Sequence, residues 1–350
     1  MRYSQLGSTD LQVSRVCLGT MTWGLQNTQQ DADAQIEYAL EQGINFMDTA
    51  EMYAVPPTPD TFGKTEEIIG HWLARNPERR QEFVLASKIA GKGLPWIRGG
   101  SEISGKTVSE AIEGSLNRLQ TETIDVYQLH WPNRSHPTFG CHHEGMSSFK
   151  NVDKAAVDEE LVDILEALQA AIKAGKIKHF GLSNETPWGI QRYLKLADKH
   201  GLPKPVSIQN EFSLLMQKDW PYTLEMCHHE EVAYLPWSPL ATGALTGKYL
   251  NDAMPAGSRW ALGHRHGLFR HTDASVAAIK DYVALAGELG LTPAELALAW
   301  CDQVEGVTST IIGATSLPQL KENIAAFDVV LSDEQLAAIR DVNKRHVAPF

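Results

Sequence analysis

Phe83-Val-Leu-Ala-Ser-Lys88 and Ile124-Asp-Val-Tyr-Gln-Leu-His130 are two short, mostly apolar runs, each closed by a basic side chain. Between them Val108, Ile112, Leu116 and Leu119 recur at helical spacing. Runs this short and this apolar read as strands buried on both faces of a parallel sheet, and the helical segment between them as a crossover. Working outward, Val16–Leu18, Ile44–Asp48, Ile177–Ser183, Val206–Asn210, Val232–Trp237 and Thr310–Ile312 repeat the pattern, which makes eight strands. Leu161, Ile164, Leu165, Leu168 and Ile172 mark another helix before Gly175. Thr107-Val-Ser-Glu110 reads as a capping box, and Thr292-Pro293-Ala-Glu295 places a proline at the first helical position.

Eight strand–helix alternations predict an α/β fold of the (β/α)8 TIM-barrel type, a single domain over residues 1–350. The alternative is an open doubly wound sheet. It would want a GxGxxG turn after the first strand, and Gly19-Thr20-Met21-Thr22-Trp23-Gly24 lacks that spacing. Arg2–Leu6, a Gly7-Ser-Thr-Asp10 turn and Leu11–Ser14 predict a hairpin ahead of the barrel. Two connections, Trp131 to Val157 and Ser238 to His271, are long enough to be functional loops over the C-terminal face.

Composition narrows the function. A net charge of −12 argues against a broad nucleic-acid surface. Cys17, Cys141, Cys227 and Cys301 are widely spaced with no CxxC pair, which fits reduced thiols in the cytoplasm. The start, Met1-Arg-Tyr-Ser-Gln-Leu6, has no apolar leader region and no later stretch reads as a membrane span. The expectation is a cytoplasmic protein acting on a small molecule, as monomer or homo-oligomer, with no nucleic-acid or membrane partner.

The strand ends carry the chemistry. Asp48, Lys88 and His130 close the second, third and fourth strands; Ser183-Asn184 and Gln209-Asn210 close the fifth and sixth. Taken singly, each is a loop polar group or a helix cap. In a barrel all would gather at one mouth. Tyr53 follows Asp48 on the loop Asp48-Thr-Ala-Glu-Met-Tyr53. A phenol with a pKa of about 10 is a weak acid at neutral pH unless a neighbouring ammonium stabilises its anion. Lys88 is available for that role, with Asp48 to hold it charged and His130 to bond a carbonyl oxygen. Such a set suits proton delivery to an oxygen turning negative, as in aldehyde or ketone reduction. The hydride has to come from a cofactor.

In this order the motifs resemble the aldo-keto reductases, most closely the bacterial Tas-type members. They are Gly19-Thr20-Met21-Thr22, the Asp48–Tyr53 loop, Ala86-Ser-Lys88, Gln128-Leu-His130-Trp131-Pro132, Gly181-Leu-Ser183-Asn184 and Gln209-Asn210. Trp237-Ser238-Pro239-Leu240, Thr246-Gly-Lys248-Tyr249 and Gly313-Ala-Thr315-Ser with Glu322-Asn323 extend the series over nearly the whole chain. The resemblance implies a catalytic tetrad of Asp48, Tyr53, Lys88 and His130, with Tyr53 as the general acid. It implies that Gly19, Thr20, Met21 and Asp48 border the cofactor, that Ser183, Asn184 and Gln209 hold the nicotinamide carboxamide, and that Trp237 stacks on its ring. It also implies that Ser238, Pro239, Leu240, Gly243 and Lys248 follow the pyrophosphate, and that Gly313, Thr315, Gln319, Glu322 and Asn323 surround the adenosine end. The expected cofactor is NADPH, with NADH possible. Gln319 stands where an arginine often clamps the 2′-phosphate, and a glutamine makes no charged fork; Lys248 and Arg259 are the substitutes.

Trp23, Met52, Trp131 and the loop after it are candidates for the substrate opening, with Trp23 and Trp131 equally readable as packing residues. No metal site is expected. His142-His143, His228-His229, His264 and His266 read as surface groups. Ser87 and Ser183 lack a GxSxG elbow and Cys141 has no motif around it. Two other functions compete with a reductase: a cofactor-binding, redox-sensing regulatory subunit with little turnover, and a barrel isomerase using Lys88 or His130.

Overall fold

Each apolar run feeds two cores at once, which is why it tolerates so little polarity. In the computed structural model, which describes residues 1–262 and 268–350, alternate strand residues face opposite ways. Val84 and Ala86 point into the barrel with Cys17, Phe46, Val126, Val206, Ala233, Leu235 and Ile311. Leu85, Tyr127, Phe180 and Ile208 point outward against helix residues such as Ile69, Ile112, Leu165 and Leu194.

The strands are β3 (Val16–Gly19), β4 (Phe46–Asp48), β5 (Val84–Ile89), β6 (Ile124–Leu129), β7 (Ile177–Ser183), β8 (Ser207–Glu211), β9 (Ala233–Trp237) and β10 (Thr310–Ile312). They form one eight-stranded sheet in the order β10-β3-β4-β5-β6-β7-β8-β9, all pairs parallel. Tyr234 closes the ring: it bridges Val307, and its carbonyl accepts from the Thr308 amide at 2.9 Å. The barrel predicted from the strand count is the fold observed. β4 starts at Phe46 rather than Ile44, because the Ile44 amide bonds to Ala39 and closes α1 (Gln29–Glu41). The cap of α3 (Gly105–Leu119) is Ser104 with Thr107 at its third position, one turn before the predicted Thr107 box. The Thr292 box ahead of Pro293 is present as read.

The predicted hairpin, β1 (Tyr3–Gln5) with β2 (Gln12–Ser14), plugs the N-terminal end with Leu6 and Val13. Its turn needs Gly7: φ is +56°, and a Cβ there would lie 2.3 Å from the Val206 carbonyl oxygen. Asp302, fully buried, pins the plug by accepting from Arg15 Nε at 2.8 Å and pairing with Arg2. Asp302→Ala should therefore destabilise the fold by about 2–3 kcal/mol, less than a fully buried pair because Arg2 is largely exposed. Thermal melting checks this, and an unchanged Tm would mean the ion pairs do not anchor the plug.

The loops over the opposite face run from His130 to α4 (Lys154–Lys173) and from Trp237 to α7 (Asp273–Glu288). The four cysteines are free, and only Cys141 is exposed. Among the described residues no helix is long and apolar enough to cross a membrane.

Candidate active site

Because every strand runs the same way, residues at strand ends meet at one mouth. Lys88, near the end of β5, is fully buried, and its ammonium has three partners. It donates to Asp48 Oδ2 at 2.6 Å, to the Thr49 carbonyl at 2.7 Å and to Tyr53 Oη at 3.5 Å. Three N–H groups are all that an ammonium has. Asp48 is held on its other oxygen by the side-chain amides of Gln128 and Gln209, each at 2.9 Å. The His130 ring meets Tyr53 edge-on at 5.8 Å between centroids. The four residues singled out as a proton-delivery set therefore stand together.

Burial pushes the Tyr53 phenol above its ordinary value; Lys88 and Arg259 pull it back, and Asp48 adds to the rise. Burial also works against the charge on Lys88, but Asp48 and then Tyr53 outweigh it, so the lysine ends above its ordinary value. The expectation that Lys88 makes Tyr53 a stronger acid needs amending, since at rest desolvation wins. The ammonium instead stands ready where negative charge would develop.

The rim is aromatic. The Trp131 indole lies 4.9 Å from His130, bonds the Lys92 carbonyl at 3.3 Å and covers Gly91, where a Cβ would come 2.2 Å from the indole nitrogen. Phe139 stands between Trp131 and Trp237, at 6.4 and 6.0 Å, on a backbone with φ of +56°. A bulky residue in that region is strained, and such strain gathers at functional sites. Met52, Val55, Ile97 and Met21 pack around Tyr53 with Trp131. Trp23 sits as the packing alternative describes. It is fully buried in the main core and its indole donates to Gln35 at 3.3 Å. The turn after β3 sends Met21, not Trp23, toward Tyr53.

Beside the mouth stand the polar groups at the ends of β3, β7 and β9. Asn184 donates to the His130 carbonyl at 2.9 Å, yet its buried Oδ1 has no partner among the described residues, nor has the Trp237 indole nitrogen. Ser183 Oγ donates to the Gln209 carbonyl at 2.9 Å. Thr20 Oγ1 bonds the Asp48 carbonyl at 2.8 Å, and a Cβ on Gly19 would lie 2.7 Å from the Ile312 carbonyl oxygen. Ser238, Ala241 and Thr242 have positive φ, as do Gly243 and Gly247, so the segment that continues from Ser238 through Pro239 and Leu240 is tightly coiled. Trp260 clamps it by donating to Thr242 Oγ1 at 3.2 Å and stacking on Tyr249 at 4.1 Å. Lys248 is exposed. Burial, with Arg270 adding to it, brings the Arg259 guanidinium down to about 10. No hydrogen bond or ion pair ties Arg259 to the described residues.

After β10, Gly313, Thr315, Gln319 and Glu322 are exposed and Asn323 is buried. Gln319 Oε1 accepts from the Thr315 amide and hydroxyl, both at 3.0 Å, and Asn323 donates to the Gly313 carbonyl at 3.3 Å. Gln319 thus shapes the turn at the start of α9 (Leu317–Ala325).

Sequence reading missed three contributors, Gln128 as a ligand of Asp48 and the buried pairs Glu51–Arg98 and Glu211–Arg270, and named the loop that carries Phe139 without singling that residue out. A glutamine near the end of a mostly apolar strand was the available signal for the first; the pairs left none. Among the described residues no group of three His, Cys, Asp or Glu could hold a metal; His264 and His266 lie outside those residues.

Comparison with known proteins bears on the family. The aldo/keto reductase family model matches residues 15–344. Protein tas of Escherichia coli (strain K12) is 43% identical over 100% of this chain and 99% of its own length. An uncharacterized oxidoreductase of Bacillus subtilis, YrpG, is 32% identical over 98% of this chain and 96% of its own. A probable voltage-gated potassium channel subunit beta of Arabidopsis thaliana is 31% identical over 94% and 92%. With its barrel, its mouth and these matches, the chain belongs to the aldo/keto reductase family.

Proposed function

We propose that the chain reduces aldehyde or ketone carbonyls to alcohols with NADPH, with Tyr53 as proton donor. The observation that carries this reading is the fully buried Lys88 ammonium shared between Asp48 and Tyr53. An ammonium in that place stabilises negative charge on Tyr53 as its proton leaves for the substrate oxygen. Asp48, bonded on both oxygens, keeps Lys88 charged and aimed. His130 orients the carbonyl, and Trp131 with Phe139 excludes water from it.

A nicotinamide cofactor, when bound, would supply the hydride. The residues present fit it: the unpartnered Asn184 Oδ1 would accept from a carboxamide, with Ser183 and Gln209 beside it, and Trp237 would offer a ring to stack on. The coiled 238–247 segment presents backbone amides to a pyrophosphate. Arg259, half-buried, with no ion pair to the described residues and within electrostatic reach of Tyr53 and Arg270, would offer its positive charge to a cofactor phosphate from the mouth side rather than from beside Gln319.

Absorbance of NADPH and NADH with a panel of aldehydes, ketones and quinones tests the activity, and Kd for each cofactor tests the preference. NADPH is expected to bind more tightly, and Arg259→Ala to weaken it by roughly 10- to 100-fold, the worth of a charged hydrogen bond. Equal affinities for the two cofactors would overturn the NADPH assignment. The Arabidopsis relative's name favours a second reading, a cofactor-binding regulatory subunit. Tight cofactor binding with no turnover of any carbonyl would select it.

A further inference from the structure

Glu51 lies between Asp48 and Tyr53, is only 1% exposed, and points away from the tetrad. Its backbone amide donates to the Lys88 carbonyl at 3.1 Å, and its carbonyl accepts from Gly63 at 2.9 Å. Its carboxylate accepts from the Ala90 amide at 2.6 Å and from both Arg98 terminal nitrogens, at 2.8 and 2.6 Å. Arg98 reaches inward from the loop after β5 on a left-handed backbone, φ +45°, which a non-glycine residue adopts at a cost. That loop also seats Trp131 through Gly91 and the Lys92 carbonyl, while Ile97, next to Arg98, packs with Tyr53. Behind the pair, Arg118 bonds Glu66 and comes within 4.0 Å of Glu51, so two carboxylates and two guanidinium groups balance in the interior.

We propose that the Glu51–Arg98 pair is a positioning device that locks the Tyr53 loop and the Trp131 wall onto the strand end carrying Lys88. It thereby sets the register between proton donor and substrate. The proposal rests on the reductase reading for its kinetic part but not for its structural part. Tyr53 faces Lys88, Asp48, His130 and Arg259; Glu51 acts on it through geometry, not through its own field.

The test compares Glu51→Gln, Arg98→Met and Arg98→Lys with the wild type, and uses Asp302→Ala as a purely structural control. Glu51→Gln should keep its fold and its Kd for NADPH, and lose roughly 10- to 100-fold in kcat, the scale expected from misplacing a reacting group by an ångström. The alkaline limb of kcat/KM for reduction should move to higher pH, because Tyr53 drawn away from Lys88 becomes a weaker acid. Arg98→Lys, which keeps the charge, should recover part of kcat. Amide exchange should quicken in residues 49–55 and 91–103 together. A lower Tm with wild-type kcat and an unmoved limb, as expected of Asp302→Ala, overturns the proposal. If the wild type reduces no carbonyl, the reductase reading fails, and exchange still decides: acceleration in one segment alone overturns the clamp, and in both supports it.

Discussion

Tyr53→Phe is expected to lower kcat for carbonyl reduction by about 10²–10⁴-fold, the usual contribution of a positioned general acid. The substitution removes one oxygen and little else. The ring sits among Met52, Val55, Ile97 and Trp131 and meets His130 edge-on, contacts that a phenylalanine keeps. Lys88 loses the longest of its three bonds, at 3.5 Å, and retains Asp48 and the Thr49 carbonyl. Stability should change little, and Kd for NADPH should stay near its wild-type value, since the Asn184, Trp237 and 238–247 surfaces are untouched. The pH profile carries a second signature. The rise in the Tyr53 pKa through burial keeps the phenol protonated at neutral pH, so reduction by the wild type should fall only on the alkaline side, and any residual rate of the variant should lack that fall. A variant with the wild-type kcat would remove Tyr53 from the chemistry altogether.

The barrel was legible because its signal is local. A run such as Phe83–Lys88 must serve an inner and an outer core at once, and that demand is written into every residue of it. The mouth was legible because a parallel sheet places all strand ends on one side, so Asp48, Lys88 and His130 needed only their strands to be located. What the sequence withheld depends on distance or on burial. Glu51 and Arg98 are 47 residues apart, and Glu211 and Arg270 are 59 apart; neither spacing betrays a partner. In Met21-Thr-Trp23, which side chain faces the mouth is decided by the turn, where the Thr22 carbonyl collects the amides of Leu25, Gln26 and Asn27. Residue type left Trp23 equally readable as rim or packing; the turn puts it in the core. The direction of the Tyr53 shift was hidden for a similar reason, because Lys88 can be found in a sequence and desolvation cannot.

Lys88→Met is expected to lower both stability and turnover, and the two effects separate. The methionine fills much of the lysine's volume but leaves Asp48 buried without its counter-charge. Loss of one partner from a buried pair costs about 3–5 kcal/mol. The lower end is the better expectation, because Gln128 and Gln209 still donate to Asp48. Turnover should fall at least as far as in Tyr53→Phe, since Tyr53 would keep its hydroxyl but lose the charge that lets its proton go. The sign of the pH dependence follows from the raised pKa of Lys88 in the folded chain. Stability gained from its charge is fully present below the ordinary lysine value of 10.5 and is lost as pH rises through the higher folded value. The stability gap between wild type and variant, read from urea unfolding, should therefore be flat through neutral and mildly alkaline pH and close only above that point. Adding Asp48→Asn to Lys88→Met removes the stranded carboxylate and should return much of the stability without returning activity. A double variant no more stable than the single one would show that the cost lies in packing rather than in charge. A single variant with wild-type turnover would take the ammonium out of the proton-transfer step.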